Sequence, residues 1–315
     1  MFVHLRGRST YSMLEGIWSI TEIFQKAKNF WQQAIAITDI YGLYGMVDFY
    51  IKSKSFEIKP IIWVEIPYTP YIASFQMAKW ITRFPTLTIL VKDAEWYHNL
   101  LRLVSEWYRH TQWDDIPMID SMMLQSYHTW LIVLVGGLES YAYQSLTMYN
   151  DEQRCKEHIE QLISIMWSED TIIDITAQPY TAYPYLSLSN EYLLKSAQMY
   201  GLSTITTSGY FYPDASQKIT YETALAIKDG KRIYDMDARK IVGKHHILSE
   251  QEVYEILKNN NFSDTMITTL IDTTNSIADR CNVKITLWQA LFPHYDTPDD
   301  IKNLYEQHRD QLIIG

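Results

Sequence analysis

Short runs of apolar, mostly β-branched residues recur along the chain, and most of them are nearly continuous rather than alternating. The six runs are 34–40 (AIAITDI), 58–66 (IKPIIWVEI), 87–92 (LTILVK), 130–135 (WLIVLV), 171–176 (TIIDIT) and 202–207 (LSTITT). Continuous apolar runs are typical of strands that are buried on both faces of a sheet. The pattern therefore predicts six buried strands.

Amphipathic segments lie between these runs, and several of them have recognisable helix starts. Ser19 and Glu22 form a capping-box pattern before one helical segment, and Ser249 and Glu252 form another. Asp214 is a candidate N-cap for the segment that follows it. Strands that alternate with helices predict βα units around a parallel sheet, and six to seven units favour a barrel, whose site lies at the carboxyl ends of the strands.

The last part of the chain departs from this pattern. After residue 276 two prolines, Pro293 and Pro298, interrupt the sequence, and a new helix is expected to begin at Asp299 or Asp300. We therefore predict an α/β chain in two parts, a barrel over residues 1–275 and the beginning of another domain over residues 276–315.

Composition and charge exclude several classes of protein. The chain is 47% hydrophobic with a net charge of −10, so a broad basic surface for nucleic acid is not expected. It contains no apolar run long enough to span a membrane and no apolar signal segment at the N-terminus, which predicts a cytoplasmic protein. Cys155 and Cys281 have neither metal-binding nor disulfide spacing.

Three segments near the N-terminus carry the most specific motifs: FVHLRGRSTYSMLEG at 2–16, AITDIYGLYGMVDFY at 36–50 and IKPIIWVEI at 58–66. In this order they resemble the N-terminal PHP domain of bacterial replicative DNA polymerase III alpha subunits, which read FVHLHxHxxYSxLDG, ALTDHGNMYGxxxFY and IKPIIGxE. The resemblance continues through NLLRLVSE, WLIVLVGG and IADRCNV, so it covers essentially the whole chain. It implies a distorted βα barrel of PHP type, followed by the start of the polymerase domain.

The PHP site of that family is a metal cluster, and most of its ligands are missing in this sequence. The two histidines of HxH correspond to Arg6 and Arg8, the following aspartate to Glu15, and the histidine of TDHG to Ile40, whereas Asp39 and Glu65 are retained. A further histidine corresponds to Thr86, a cysteine to Gly137, and a late D-x-H pair to Gly209 and Phe211. The resemblance therefore implies a vestigial site.

Arginine cannot replace histidine as a ligand, because its guanidinium group is protonated at any relevant pH. We expect no metal and no catalytic residue in this chain. Since an unpaired buried carboxylate is costly, we hypothesise that Arg6 or Arg8 pairs with Glu65, Asp39 or Glu15 at the mouth of the barrel. Fixed positive charge would then replace the charge of the metal ions.

The resemblance also implies partners. In the family, the aspartates that bind Mg²⁺ for DNA synthesis lie in the palm, beyond this chain, and Asp299 and Asp300 are better explained as helix-start charges. The implied role is architectural: packing on the polymerase core and docking the proofreading exonuclease subunit, with DNA contacted only indirectly. The alternatives are an active metal-dependent PHP phosphoesterase or 3′–5′ exonuclease, and a stand-alone regulatory binding module.

Tryptophan is unusually frequent and glycine is scarce, with 10 Trp and 11 Gly among 315 residues. Six tryptophans fall where the family has glycine: Trp31, Trp63, Trp96, Trp130, Trp167 and Trp288. We hypothesise that these positions are glycine in the native protein, encoded by UGA in an organism that reads UGA as glycine. The alternative is true tryptophan in an adapted core. The first hypothesis predicts backbone strain at these residues.

Overall fold

The computed structural model describes residues 1–70, 84–109, 118–287 and 297–308. The chain divides into two compact units, Met1–Lys284 and Ile285–Gly315. The boundary expected after residue 275 falls inside the helix Asp264–Arg280, whose last turns bury Ile277 and Ala278, and the first unit therefore runs on to Lys284. In the second unit a helix begins at Asp299, as predicted.

Six strands form one sheet whose spatial order follows the chain. They are β1 (Ala34–Ile37), β2 (Lys59–Pro67), β3 (Thr86–Val91), β4 (Leu131–Gly136), β5 (Thr171–Thr176) and β6 (Thr204–Thr207). Each predicted run overlaps one of these strands.

Strand β3 differs from the predicted arrangement. The pairs β1–β2, β4–β5 and β5–β6 are parallel, but β3 is antiparallel to both β2 and β4. The expectation of a parallel sheet is wrong for this strand, because a continuous apolar run indicates burial on both faces and carries no information about direction.

The N-terminal segment closes the sheet. His4 and Gly7 accept hydrogen bonds from the backbone N–H groups of Ala36 (2.9 Å) and Thr38 (2.5 Å), which belong to β1 and its extension. On its other side Arg8 N–H donates to the carbonyl of Tyr210, just beyond β6, at 2.9 Å. Residues 4–8 thus bridge the two outermost strands, and the α/β fold is a distorted βα barrel.

Helices surround this sheet. They are α1 (Ile20–Asn29), α2 (Met46–Phe56), α3 (Ala94–Arg109), α4 (Ser121–Tyr127), α5 (Tyr141–Thr147), α6 (Glu152–Met166), α7 (Leu186–Tyr200), α8 (Lys218–Lys228), α9 (Glu250–Asn259), α10 (Asp264–Arg280) and α11 (Asp299–His308). None of the described helices is long and apolar enough to cross a membrane.

Both predicted capping boxes are present. Ser19 accepts from the backbone of Glu22, whose side chain accepts in return from the Ser19 N–H at 2.9 Å, and the same exchange caps α9. Asp214 does not cap its helix: its carboxylate pairs with Lys26 at 2.5 Å, and a 3₁₀ turn, Ala215–Gln217, leads into α8.

The core forms two clusters. One fills the barrel with side chains from every strand and from α10, including Leu5, Trp63 and Leu134. The other lies between the sheet and helices α1 and α2, where Phe24 and Phe49 stack with ring centres 4.7 Å apart. Burial of this aromatic and β-branched surface is the main favourable term in folding.

Three tryptophans adopt a backbone conformation that favours glycine. The φ angles of Trp31, Trp130 and Trp167 are 59°, 62° and 64°, and Trp31 is 82% exposed. Trp63 is instead buried in β2, with no hydrogen-bond partner for its Nε1 among the described residues. The first three positions fit the glycine hypothesis. The Trp96 side chain and Trp288 lie outside the described residues.

Candidate functional site

The predicted site positions gather at one rim of the barrel. Asp39 follows β1, Glu65 lies near the carboxyl end of β2, Gly137 follows β4, and Gly209 follows β6. Thr86 joins them because β3 runs in the opposite direction and begins at this rim, paired with Pro67. The predicted positions thus lie together at the rim formed by the carboxyl ends of the parallel strands.

Glu65 is the centre of the cluster and is fully buried. Arg6 Nη2 donates to its Oε1 at 2.5 Å, and Arg8 Nη2 donates to its Oε2 at 3.0 Å. Thr86 Oγ1 donates to Oε1 at 2.7 Å. Both oxygens of one carboxylate are thus held by two guanidinium groups, as the sequence hypothesis predicted for Arg6 and Arg8.

Arg8 also contacts two further acids. Its Nη1 donates to Glu15 Oε2 at 2.9 Å, and its Nη2 donates to Glu139. Lys228 in turn pairs with the other oxygen of Glu15. Glu139, two residues after Gly137, was not singled out from the sequence, and no motif marks it. The ion pairs of the cluster therefore connect the N-terminal segment to β2, to α8 and to the loop after β4.

The charges of this cluster are mutually stabilised. Burial by itself raises the pKa of Glu65, but the adjacent Arg6 and Arg8 outweigh burial and lower that pKa to about 2. Burial of Arg8 favours its neutral form, but Glu139, Glu65 and Glu15 together raise its pKa well above the ordinary value. Glu65 and Arg8 are therefore ionised at neutral pH.

Asp39 does not take part in the ion pairs. It accepts hydrogen bonds from the Ser9 N–H at 2.8 Å, the Ser9 hydroxyl and the Ser12 hydroxyl (2.7 Å), and burial raises its pKa. Ile40 contributes only its backbone N–H, which donates to Ser12 Oγ at 3.1 Å. These two positions thus organise the loop of residues 9–12.

Gly137 and Phe211, two vestigial positions, surround the arginines. Gly137 has φ +90°, and a Cβ there would overlap Arg6 Nη1. The guanidinium carbon of Arg8 lies 4.8 Å from the centre of the Phe211 ring. The other face of the Phe211 ring stacks on His245, with the two ring centres 4.9 Å apart. Gly209, with φ +65°, presents its carbonyl to Nδ1 of His245 at 3.2 Å. Phe211 thus offers a ring where the resemblance places a ligand.

Asp174 on β5 is a further buried acid that the sequence analysis did not identify. It accepts a hydrogen bond from Thr207 at 2.8 Å, while its Oδ1 has no partner among the described residues. Burial raises its pKa to about 6, although the nearby Arg6 acts in the opposite direction. An isolated acid within the apolar run TIIDIT was the signal that could have revealed it.

The residues at this rim do not fit a metal cluster. Among the described residues, no three His, Cys, Asp or Glu side chains are grouped so that they could hold a metal ion. Glu65, the retained acid at the centre, already has both oxygens committed to guanidinium groups. A divalent ion there would have to displace both arginines and would still lack further ligands.

A cavity of about 450 Å³ opens directly beside the ion pairs. Arg6, Arg8 and Glu139 line it together with aromatic side chains such as Tyr143 and Tyr221. Its volume is in the range of small-molecule sites.

Curated relatives give similarity over most of the chain. The DNA polymerase III subunit alpha of Vibrio cholerae is 27% identical over 299 residues, with 94% of this chain covered and 24% of the relative. The corresponding subunit of Escherichia coli strain K12 is 29% identical over 301 residues, with 95% and 24% covered. The chain thus spans about a quarter of the length of these relatives.

The family is identified by a sequence profile, and one solved structure is similar over most of the chain. A two-domain protein from Bacteroides vulgatus containing a predicted PHP-like metal-dependent phosphoesterase superimposes with a TM-score of 0.43 and 11% identity, over 82% of this chain and 63% of that one. The sequence profile of the PHP domain matches residues 4–178, which is more than half of the chain. The chain therefore belongs to the PHP domain family.

Proposed function

We propose that this chain is the PHP part of a DNA polymerase III alpha subunit, and that it acts as a metal-free architectural domain rather than as an enzyme. The similarity to alpha subunits over about 95% of the chain supports the placement in a replicase. Synthesis of DNA and its Mg²⁺ chemistry would then belong to the polymerase core, and the protein would work in the cytoplasm.

The observation that carries the metal-free role is the pair of guanidinium groups on Glu65. In a metal-binding site this carboxylate would complete the coordination of a cation. Arg6 and Arg8 supply positive charge that is covalently attached to the chain, so the buried carboxylate is stabilised without any ion from solution.

The cluster also explains how such a domain would serve a partner. It connects the N-terminal segment, β2, α8 and the loop after β4 through buried ion pairs, which holds the mouth of the barrel in one arrangement. The polymerase core of the same subunit would pack on this preorganised domain. The proofreading exonuclease and other replicase subunits are the further proposed partners, and DNA would be contacted only indirectly.

Metal analysis combined with a phosphodiesterase assay tests this function. We expect purified protein to contain less than one equivalent of Zn, Mn and Fe, and to hydrolyse neither a phosphodiester nor the 3′ end of single-stranded DNA. Stoichiometric metal together with turnover that disappears in Glu65→Ala would instead establish the phosphoesterase or 3′–5′ exonuclease. Genomic sequence beyond codon 315 that encodes the palm aspartates would exclude a stand-alone regulatory module.

A further inference from the structure

The cavity at the rim combines apolar walls with a small number of polar groups. Its walls include Tyr143, Met148, Tyr185, Leu225 and Ile241, and its floor is formed by the two arginines of the cluster. A volume of about 450 Å³ accommodates a molecule with one or two rings. The ion pairs alone do not require this space.

Arg6, which lines this space, has donor capacity that the described residues do not use. Its residue is only 6% exposed, and its Nη2 is committed to Glu65. Among the described residues no acceptor contacts its Nη1, although Arg6 lines the cavity. The buried atom of Arg6 that lacks an acceptor is Nε rather than Nη1. An acceptor oxygen of a molecule in the cavity would give Nη1 a partner that the described residues do not supply.

The acceptor is expected to be uncharged. Arg8 is paired with Glu15, Glu65 and Glu139, and Arg239 at the rim binds both oxygens of Asp229. An additional anion would meet no cation that is free of a carboxylate, and its desolvation would go uncompensated. A carbonyl oxygen accepts the same hydrogen bond without that cost.

Two further features define the rest of the ligand. Tyrosine side chains along the wall provide surfaces on which a flat ring can stack. Glu139 and Gln144, which line the same cavity, offer oxygen acceptors for hydroxyl groups. A flat carbonyl-bearing ring, attached hydroxyl groups and the absence of charge together describe a nucleoside.

We propose that the cavity beside Arg6 binds an uncharged nucleoside, with a ring carbonyl accepting from Arg6 Nη1 and the sugar hydroxyl groups donating to Glu139 and Gln144. Phosphate is disfavoured because Arg6, Arg8 and Arg239 each already face a carboxylate and because Glu139 is negatively charged. The proposal does not depend on whether the chain works within a polymerase.

Isothermal titration calorimetry of the 315-residue chain with uridine, inosine and uridine monophosphate tests the proposal. We expect saturable binding of at least one nucleoside, and affinity for uridine monophosphate that is lower than for uridine. Thr147→Trp, which enlarges a wall residue outside the ion pairs, should weaken nucleoside binding at least about tenfold. Met122→Trp, at a position on α4 that is 77% exposed and away from the cavity, is the matched control and should bind normally.

A second variant keeps the test decisive if Thr147→Trp fails to fold. Gln144→Leu removes one proposed acceptor and should weaken nucleoside binding about fivefold, the effect of one hydrogen bond of ~1 kcal/mol. No binding of either nucleoside at ~10 mM, a concentration that detects interactions of about 3 kcal/mol, would refute the proposal. Tighter binding of the monophosphate than of uridine would refute the exclusion of charge.

Discussion

The guanidinium group of Arg6 occupies the space that a side chain on residue 137 would need. Gly137 has φ +90°, and a Cβ on it would overlap Arg6 Nη1. The resemblance to metal-binding PHP domains places a cysteine ligand at 137 and a histidine at 6. A side chain on residue 137 therefore cannot be accommodated while Arg6 keeps its position.

Gly137→Ala is expected to destabilise the protein by about 2–5 kcal/mol, since the left-handed backbone costs ~1–2 kcal/mol and the overlap with Arg6 adds to it. Gly201→Ala is the matched control, because Gly201 has φ +65° but nothing lies within 4 Å of the point where a Cβ would stand. Urea denaturation of both variants measures the difference. Equal losses of stability in the two variants would mean that Arg6 moves aside without an energy cost. A smaller loss of stability for Gly137→Ala in an Arg6→Ala background would confirm the overlap.

Arg8→Met should be among the most damaging single changes. It leaves Glu65, Glu15 and Glu139 without their shared cation in a buried site, for which the expected loss is about 3–5 kcal/mol. Lys195→Met removes an exposed i,i+4 pair with Glu191 and should leave the stability almost unchanged. Chemical denaturation at neutral pH compares the two variants, and similar losses would contradict the structural importance of the cluster.

Removal of metal should leave the stability unchanged. A ligand that binds the folded state raises stability in proportion to the logarithm of its concentration, so a structural metal would make the melting temperature respond to chelators. We expect identical melting curves with EDTA and with added Zn²⁺ or Mn²⁺. A melting temperature that falls with EDTA and recovers with one of these ions would show that the arginines do not replace a cation.

Asp174 should make the protein less stable as the pH rises. Its folded pKa of about 6 lies above the unfolded value near 4, so its contribution is complete below pH 4 and is lost as the pH rises through 6. The cost of ionising it in the folded state is about 2–3 kcal/mol. Asp174→Asn, which retains an acceptor for Thr207, should therefore be more stable than the parent at pH 8.

The pH dependence of that difference is the control within the experiment. Denaturation at pH 4.5 and pH 8 should show the advantage of Asp174→Asn growing with pH. A constant difference between the two proteins would mean that Asp174 does not titrate in this range.

Glycine at two tryptophan positions should stabilise the chain. Trp31→Gly and Trp167→Gly relieve φ angles of 59° and 64°, and the Trp167 conformation, with ψ 159°, is found essentially only for glycine. We expect gains of about 1–2 kcal/mol from each, partly offset by the lost contacts of half-exposed indoles. Trp18→Gly, at a fully buried residue, should instead cost about 3–5 kcal/mol or more.

The codons at these positions test independently whether the tryptophans are glycine in the native protein. UGA at codons 31, 130 and 167 would show that these residues are glycine in the native protein, whereas UGG codons would end that hypothesis.

Much of the fold could be predicted from local sequence. The apolar runs located every strand to within a few residues, and the two Ser-x-x-Glu patterns located the starts of α1 and α9. These features are encoded by residues that are neighbours in the chain. The direction of β3 could not be predicted, because it depends on strands that are distant in the chain. Nor could the failure of Asp214 to cap its helix, because it depends on the ion pair with Lys26.

The residues of the candidate site could also be predicted only in part. The motif positions identified Arg6, Arg8 and Glu65, and charge balance alone required that they pair. Glu139 and Asp174 were missed, because no motif marks them and their importance depends on how the loop after β4 and strand β5 meet the N-terminal segment. Charge in an apolar run would have been sufficient to identify Asp174.

Closure of the barrel by residues 4–8 has a consequence for how the protein forms during synthesis. The segment made first by the ribosome obtains its second hydrogen-bonding partner only when Tyr210 has left the exit tunnel. Contacts of such large sequence separation slow folding, because the intervening chain must be ordered before they form. The nascent chain therefore exposes an open sheet edge until Tyr210 has emerged from the exit tunnel, and chaperone binding at the N-terminus is expected to matter most in that interval.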